Sequence, residues 1–412
     1  MISDGLVVMN KNKITYLFPF SIVFFEIATY LANDMYLPGL PALMKDFQIS
    51  QGVAQDTLLY WFLGSASMQL LIGPLSDRFG RRIVLLLGAV GYIFASFSCA
   101  ITQDIFVFLV ARFVQGCTVC AVVVAGYSAI HEHYAARIAI RIVAIMGSIV
   151  ILAPAFGPIL GAMVIAFAHW RLIFYILGGW GALSFILLVK AVPDTQTEKH
   201  ALDLKVILRD YMKIATRKDF LVFTLPFCFM FLSLISWVVE SPFLIIQRYQ
   251  KSTMDYGLIQ LAVFGCFMIG AQITGRLVQN WSPLRLIKMG IILGLLGAGL
   301  LVTFSILEYP LFSIVLSMML CALGFAMTFG PLSRLAIESC QEPMGRRMAI
   351  FSSFMSFFGV FATMLIGAFE NNSMHNLSII ISAGAILAFV FFFFLKKPDI
   401  NLDNSPENIH VG

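Results

Sequence analysis

The chain has 412 residues and a formal net charge of +5, with 60% hydrophobic and only 12% charged residues, against about 25% charged in an ordinary soluble domain. A mean hydropathy of +0.90 and an aromatic content of 14% exclude a soluble enzyme, a disordered chain and a collagen-like fibre. The bilayer is the solvent in which this sequence has to fold.

A helix crosses the roughly 30 Å hydrocarbon layer with about 20 apolar residues. In chain order, blocks of that kind cover residues 14–37, 56–76, 82–101, 104–128, 139–165 and 170–192, then 220–247, 256–279, 285–305, 309–337, 346–369 and 377–395. They are continuously apolar, whereas barrel strands alternate over about ten residues. The first block is too long for a signal-peptide core and no small-residue cleavage site follows it, so it stays as a helix. The sequence therefore predicts an all-α membrane protein with 12 transmembrane helices. The one long internal polar stretch divides them six and six. This predicts an N-terminal bundle (1–192), a central cytoplasmic loop (193–219), a C-terminal bundle (220–395) and a cytoplasmic tail (396–412), the plan of two-bundle transporters.

Orientation follows from the basic residues, because short cytoplasmic loops are enriched in them. Of the 27 Lys and Arg, 22 fall on the side of the N-terminus, four (Lys45, Arg171, Arg248 and Lys251) lie in the opposite loops, and Arg112 lies inside a span. Both termini are expected in the cytoplasm, and the charge needs no nucleic-acid partner to explain it. The seven cysteines sit in or at the ends of apolar spans and imply no disulfide framework. Cys117 and Cys120 form a C-x-x-C within a span and are expected to be small packing residues.

Charge inside a span is expensive and usually faces a partner or a watery cavity. Glu26, Asp34 and Arg112 are the clearly internal cases. Glu26 and Asp34 share a side of the first helix, about 80° and about 12 Å apart. Tyr30, Asn33 and Leu37 complete that stripe, while Phe24, Phe25, Ile27 and Leu31 suit lipid or packing. The polar face is therefore expected to look into a cavity. By position along its span, Arg112 lies between the two carboxylates in depth, with Gln115 one turn along on the same face. One reading makes Arg112 a structural tie between helices. The other starts from one cation facing two carboxylates: the excess acid, in a low dielectric that favours its neutral form, can take and release a proton, as a proton-coupled carrier requires.

The run Gly73-Pro74-Leu75-Ser76-Asp77-Arg78-Phe79-Gly80-Arg81-Arg82, between the second and third spans, resembles the signature loop of the major facilitator superfamily. It combines glycines for close backbone approach, an Asp able to cap or pair at a helix end, and arginines for the inner leaflet and gating ion pairs. In the fifth span, Ala153-Pro154-Ala155-Phe156-Gly157-Pro158-Ile159-Leu160-Gly161 resembles the antiporter motif of drug/proton exchangers in that superfamily. Ala153, Gly157 and Gly161 recur every fourth residue and permit close helix approach, and the prolines bend the helix. Ala162 departs from the fuller motif, in which a second glycine often follows.

The Glu26/Asp34 helix, with Met35-Tyr36-Leu37-Pro38-Gly39 after it, is similar to MdfA-type multidrug/proton antiporters. The similarity extends through Ala111-Arg112-Phe113-Val114-Gln115-Gly116 and Gly126-Tyr127-Ser128-Ala129-Ile130-His131-Glu132, and so covers the N-terminal half. The resemblance implies that Glu26 and Asp34 are the proton- and substrate-responsive acids, Arg112 their electrostatic partner, and Tyr30 and Asn33 cavity contacts; Gln115, on the face of Arg112, is a further candidate substrate contact. Met146 and the stripe Phe354, Phe358 and Phe361 are further pocket candidates.

His131-Glu132-His133 is expected to be an interfacial loop rather than a metal box, since neighbouring helical residues point about 100° apart and no third ligand is evident. Glu240, toward the outer end of the seventh span, is expected either at a wetted helix end or as a second-half contact for cationic drugs. No phosphate loop is present, so energy must come from an ion gradient. The expectation is a monomeric inner-membrane carrier in the lipid bilayer, without cofactor or metal, exporting lipophilic drugs in exchange for protons. A dedicated metabolite or siderophore carrier is the near alternative, and a membrane-embedded enzyme or receptor the distant one.

Overall fold

A computed structural model of the chain describes residues 4–134, 136–193, 204–368 and 374–394. The first half comprises α1 (Asp4–Asp34), a 3-10 turn (Leu37–Gly39), α2 (Leu40–Phe47), α3 (Gln51–Phe79), α4 (Arg81–Ile101), α5 (Ile105–Cys120), a π-helical segment (Ala121–Gly126), α6 (Tyr127–His133), α7 (Ala136–Phe167) and α8 (Arg171–Ala191). After α9 (Leu204–Ala215), the second half comprises α10 (Lys218–Pro242), a second π-helical segment (Phe243–Arg248), α11 (Thr253–Leu277), α12 (Pro283–Ile306), α13 (Leu311–Glu338), α14 (Met344–Gly367) and α15 (Met374–Phe394). With each π segment counted as part of its helix, the described residues hold 12 long helices, and ten of them are long and apolar enough to cross a membrane. The other two are α1 and α7, and Leu152–Phe167 of α7 is a further apolar stretch. No strand occurs among the described residues. The expected tail 396–412 lies outside them.

Local chemistry sets the helix starts. Ser50, Asp104 and Ser282 each accept a first-turn backbone N–H, and Ser252 forms a reciprocal capping box with Asp255. Between α3 and α4 the chain reverses on Gly80 alone, whose φ of 94° is costly for any residue with a Cβ. Water drives no burial between helices inside a bilayer, so packing relies on close approach at small residues. A side chain at Gly64 would run into the carbonyl of Phe113, and one at Gly116 into that of Trp61, which fixes the α3–α5 crossing. Large apolar side chains such as Phe94, Phe167 and Phe312 are exposed on the outer surface, where acyl chains solvate them.

The two halves meet along α3 with α14 and along α7 with α11. With 12 long helices running up and down in turn, the described ends Asp4 and Phe394 lie at one face of the assembly. The central stretch, expected as a loop, contains α9 at that face. Val206, Ile207, Asp210, Tyr211 and Ile214 face inward, while Lys205, Leu208, Arg209 and Met212 are exposed. Its charges lower the mean hydropathy and mask a helical period. Tyr211 donates to the Leu70 carbonyl of α3 (3.1 Å), Asp210 pairs with Arg346, and Lys213 pairs with Glu342 (2.7 Å), so α9 ties the two halves together.

Glu342, in the turn between α13 and α14, has a side chain only 6% exposed. The hydrogen bond from Lys213 holds its carboxyl below the usual 4.5. A carboxylate with a depressed folded-state value adds stability above its unfolded value, and that contribution is lost as pH falls through the folded one. Because Lys213 is largely exposed, the pair contributes on the order of 1 kcal/mol or less. Hydrogen-exchange protection of α9 is expected to exceed that of a Glu342→Gln variant a few-fold at pH 7, and the two should converge as pH drops below 4.5. Equal protection at pH 7 would mean that the tie is inert.

Candidate functional site

The polar face of α1 is where the sequence placed it, and each of its groups has a distinct environment. Glu26 is fully buried; Tyr127 donates to its Oε1 (2.9 Å), and its Oε2 has no protein partner. Tyr127 follows directly on the π segment Ala121–Gly126, whose widened turn resets the side-chain register of the last part of this span. Tyr127 stands within the run 126–132, and nothing local in the sequence sets it apart from its neighbours there.

Asp34 ends α1, 4% exposed, with Asn33 donating to its Oδ1 (3.2 Å). The fifth-span motif packs against this point. A Cβ built on Gly157 would lie 2.7 Å from the Asp34 Cβ, and one on Gly161 would run into the Met35 carbonyl. The glycines thus let α7 close over the end of α1. On the other side of α7, a Cβ on Gly257 of α11 would lie 2.9 Å from the Ile159 Cα. The motif is therefore the point where α1, α7 and the second half converge.

Arg112 is fully buried but forms no ion pair within 4.0 Å with either acid among the described residues. Its Nη1 donates to the Ala32 carbonyl (2.8 Å) and Gln115 Oε1 (2.7 Å), and its Nε to the Thr57 carbonyl (3.2 Å). The guanidinium stacks 4.3 Å above the Tyr36 ring, and Nη2 has no partner. Ala32 lies in the last turn of α1, so its carbonyl lacks an intrahelical donor and Arg112 supplies one. Gln115 in turn donates to Ser96 (2.8 Å), and Tyr92 to the Ala28 carbonyl (2.7 Å). The cluster buttresses the end of α1 that carries Asp34.

Between the halves lies a cavity with about 170 Å³ of room for water-molecule centres. Tyr30, Asn33, Asp34, Trp61 and Pro154 line it from the first half, and Phe231, Phe264, Phe267, Phe325, Phe329 and Met355 from the second. The wall is aromatic with a few polar points. Asn33 Oδ1 and Trp61 Nε1 have no protein partner, which leaves one acceptor and one donor uncommitted.

Several expected contacts lie elsewhere. Gln115 and Glu26 are in the polar clusters behind the wall. Met146 is fully buried in α7 and does not reach the cavity. Phe358 packs on Phe229, Phe354 on Phe220, and Phe361 is half exposed. The α14 residues that do line the cavity are Ser352, Met355 and Ser356, on another face of the helix. The phenylalanine stripe stands out by composition, but it serves packing and the lipid surface. Cys120 donates to the Ser65 carbonyl (3.2 Å) and is a free thiol, as is Cys117.

At the face bearing the termini, Arg81 pairs with Asp77 and with Glu132 (2.9 Å) and donates to Ser76 (2.8 Å), while Arg82 donates to the Val189 carbonyl (2.9 Å). Glu132 is thus the partner of the signature loop, and His131-Glu132-His133 is the end of α6 rather than a loop. No metal-ligand cluster occurs among the described residues. At the opposite face Glu240 is 6% exposed rather than wetted, and it accepts hydrogen bonds from Gln55 (2.7 Å) and Gln51 (3.2 Å) of α3. Gln51 and Gln55 share a face one turn apart, but neither sequence position signals a partner 185 or more residues away.

Residues 22–363 match the family model described as Major Facilitator Superfamily. The chain is similar to the chloramphenicol resistance protein CraA of Acinetobacter baumannii, 29% identical over 92% of each chain. It is also similar to the multidrug transporter MdfA of Yersinia pestis, 31% identical over 93% of this chain and 95% of the relative. Among solved structures, a D-xylose-proton symporter superposes with a TM-score of 0.74 at 16% identity, covering 93% of this chain and 98% of that one.

Proposed function

The chain belongs to the major facilitator superfamily, and from that premise we propose that it exports lipophilic cationic and neutral drugs across the bacterial inner membrane in exchange for protons, with both termini in the cytoplasm. The observation that carries the reading is Asp34, an acid in the wall of a largely apolar, aromatic-rich cavity between the two halves. A wall of phenylalanines accepts many shapes without a strict hydrogen-bond code, and the carboxylate attracts cations. Asn33 and Trp61, whose Oδ1 and Nε1 have no protein partner, add polar character to the same wall. The names of the relatives, a chloramphenicol resistance protein and a multidrug transporter, agree with this substrate class.

In this mechanism the halves rock about the cavity. The contacts of Gly257 on Ile159 and of Glu240 with Gln51 and Gln55 hold the two halves together at the face away from the termini, and in this reading drug enters from the cytoplasmic side. A proton arriving from outside neutralises Asp34 and competes with a cationic drug for the same charge. Each ligand shifts the equilibrium only through its differential affinity for the two states, so competition makes the exchange obligatory. Glu26, held by Tyr127 two turns deeper, is the second proton acceptor.

Purified protein in liposomes is expected to move ethidium and chloramphenicol against a gradient when the compartment receiving the drug is acidic, with an opposing proton flux seen by an internal pH dye. Movement that persists when the proton gradient is collapsed by an ionophore would refute the coupling. No movement of any drug in a panel, by protein shown to be folded, would refute the multidrug reading and favour a single metabolite.

A further inference from the structure

Among the described residues of the second half, Glu240 is the one acid buried within a membrane-crossing helix. It has no cation within ion-pair distance there; its donors are amides of the opposite half. Gln55 Nε2 donates to Oε2 (2.7 Å), and Gln51 Nε2 reaches Oε2 (3.2 Å) and Oε1 (3.4 Å). Both glutamines lie in the first turns of α3, held in register by the Ser50 cap. Glu240 itself stands where α10 passes into the π segment Phe243–Arg248, just beyond the cavity-lining Leu234, Ile235 and Val238.

We infer that Glu240 is the lock of the face away from the termini: the cavity opens there only when its carboxylate leaves Gln51 and Gln55. The inference rests on the alternating-access reading above. The other places where the halves meet at this face, Gly257 beside Ile159 and the turn Leu37–Gly39 beside α11, show no hydrogen bond or ion pair between the halves among the described residues and loosen gradually with distance. A carboxylate behaves differently. Closed, it is satisfied by the amides; open, it is satisfied by water; part-way, it is a buried charge with neither. The intermediate is penalised, so the gate has two states rather than a continuum.

The test is the distance across this face by pulsed electron paramagnetic resonance in liposomes. Spin labels are attached at Gln103→Cys and Leu307→Cys, in the loops after α4 and α12, with Cys117 and Cys266 replaced by alanine. Removing a hydrogen bond to a charged group changes an equilibrium by about 10- to 100-fold. Gln55→Ala and Glu240→Gln, on opposite sides of the lock, are each expected to raise the long-distance to short-distance ratio by about tenfold or more. Gln51→Lys, which adds an ion pair, is expected to lower it. Combining Gln55→Ala with Glu240→Gln should add little to either alone.

Gly257→Leu, whose side chain collides with the Ile159 backbone, is the control that forces the face apart. A lengthened distance in the control, with no change in Gln55→Ala or Glu240→Gln, overturns the lock and leaves the transport reading standing. A wild-type distance that moves neither with ethidium nor with an imposed pH step overturns alternating access itself, and the lock falls with it.

Discussion

Asparagine in place of Asp34 is expected to lower proton-driven export of ethidium by at least about 100-fold while leaving the protein folded. The substitution keeps the shape of a side chain that Gly157 packs against with no room to spare, and an amide can still face Asn33. What it removes is ionisation. The permanently neutral residue offers a cation no counter-charge, and it has no proton to exchange, so affinity and coupling fail together. Chloramphenicol, which carries no charge to match, should retain binding within a few-fold while losing its active transport. That split between binding and transport separates a coupling role from mere damage to the cavity. Glu26→Gln should fall less, because its amide can still accept from Tyr127 (2.9 Å in the native protein) and Glu26 lies behind the wall. Ethidium export at the native rate by Asp34→Asn would remove this acid from the mechanism and leave Glu26 as the coupling group.

How much of this could be read beforehand depends on whether the information is local. The spans are legible because about 20 apolar residues in a row have few alternative fates. The polar face of α1 is legible because Glu26, Tyr30, Asn33 and Asp34 repeat with the helix. The glycines of the fifth span point to close approach, although only the fold shows that what approaches is the end of α1. Non-local information is harder to recover. Glu240 looks like a wetted helix end until α3 brings Gln51 and Gln55 across the interface. Met355 and Phe358 sit three residues apart on α14, one in the cavity wall and one against Phe229, and no property of either residue type tells them apart. The amphipathic period of α9 was present in the sequence, but averaging over a charged stretch concealed it. Arg112 combines both cases: its burial follows from its position in a span, whereas its acceptors are backbone carbonyls, to which every residue type contributes alike.

Those acceptors lead to the second large effect. Arg112→Met is expected to cost roughly 2 to 6 kcal/mol, since it strands the Ala32 carbonyl and Gln115 Oε1, each worth about 1–3 kcal/mol as a buried unsatisfied group. The measurement is thermal unfolding of the purified protein in detergent. Arg112→Lys is the more discriminating change. It preserves the charge seen by Glu26 and Asp34, but an ammonium cannot reproduce a planar fork that serves Ala32 and Gln115 through Nη1 and Thr57 through Nε while lying flat over Tyr36. If the residue acts mainly by anchoring the last turn of α1, lysine should restore little of the stability and little of the ethidium export, because Asp34 is two residues beyond the anchored Ala32 carbonyl. If it acts mainly as a distant counter-charge, lysine should restore export nearly in full. The absence of an ion pair to either acid, together with three hydrogen bonds in fixed geometry, favours the anchor. Lysine is therefore expected to recover less than about one-tenth of native export, equivalent to a deficit of about 1.4 kcal/mol or more in the barrier.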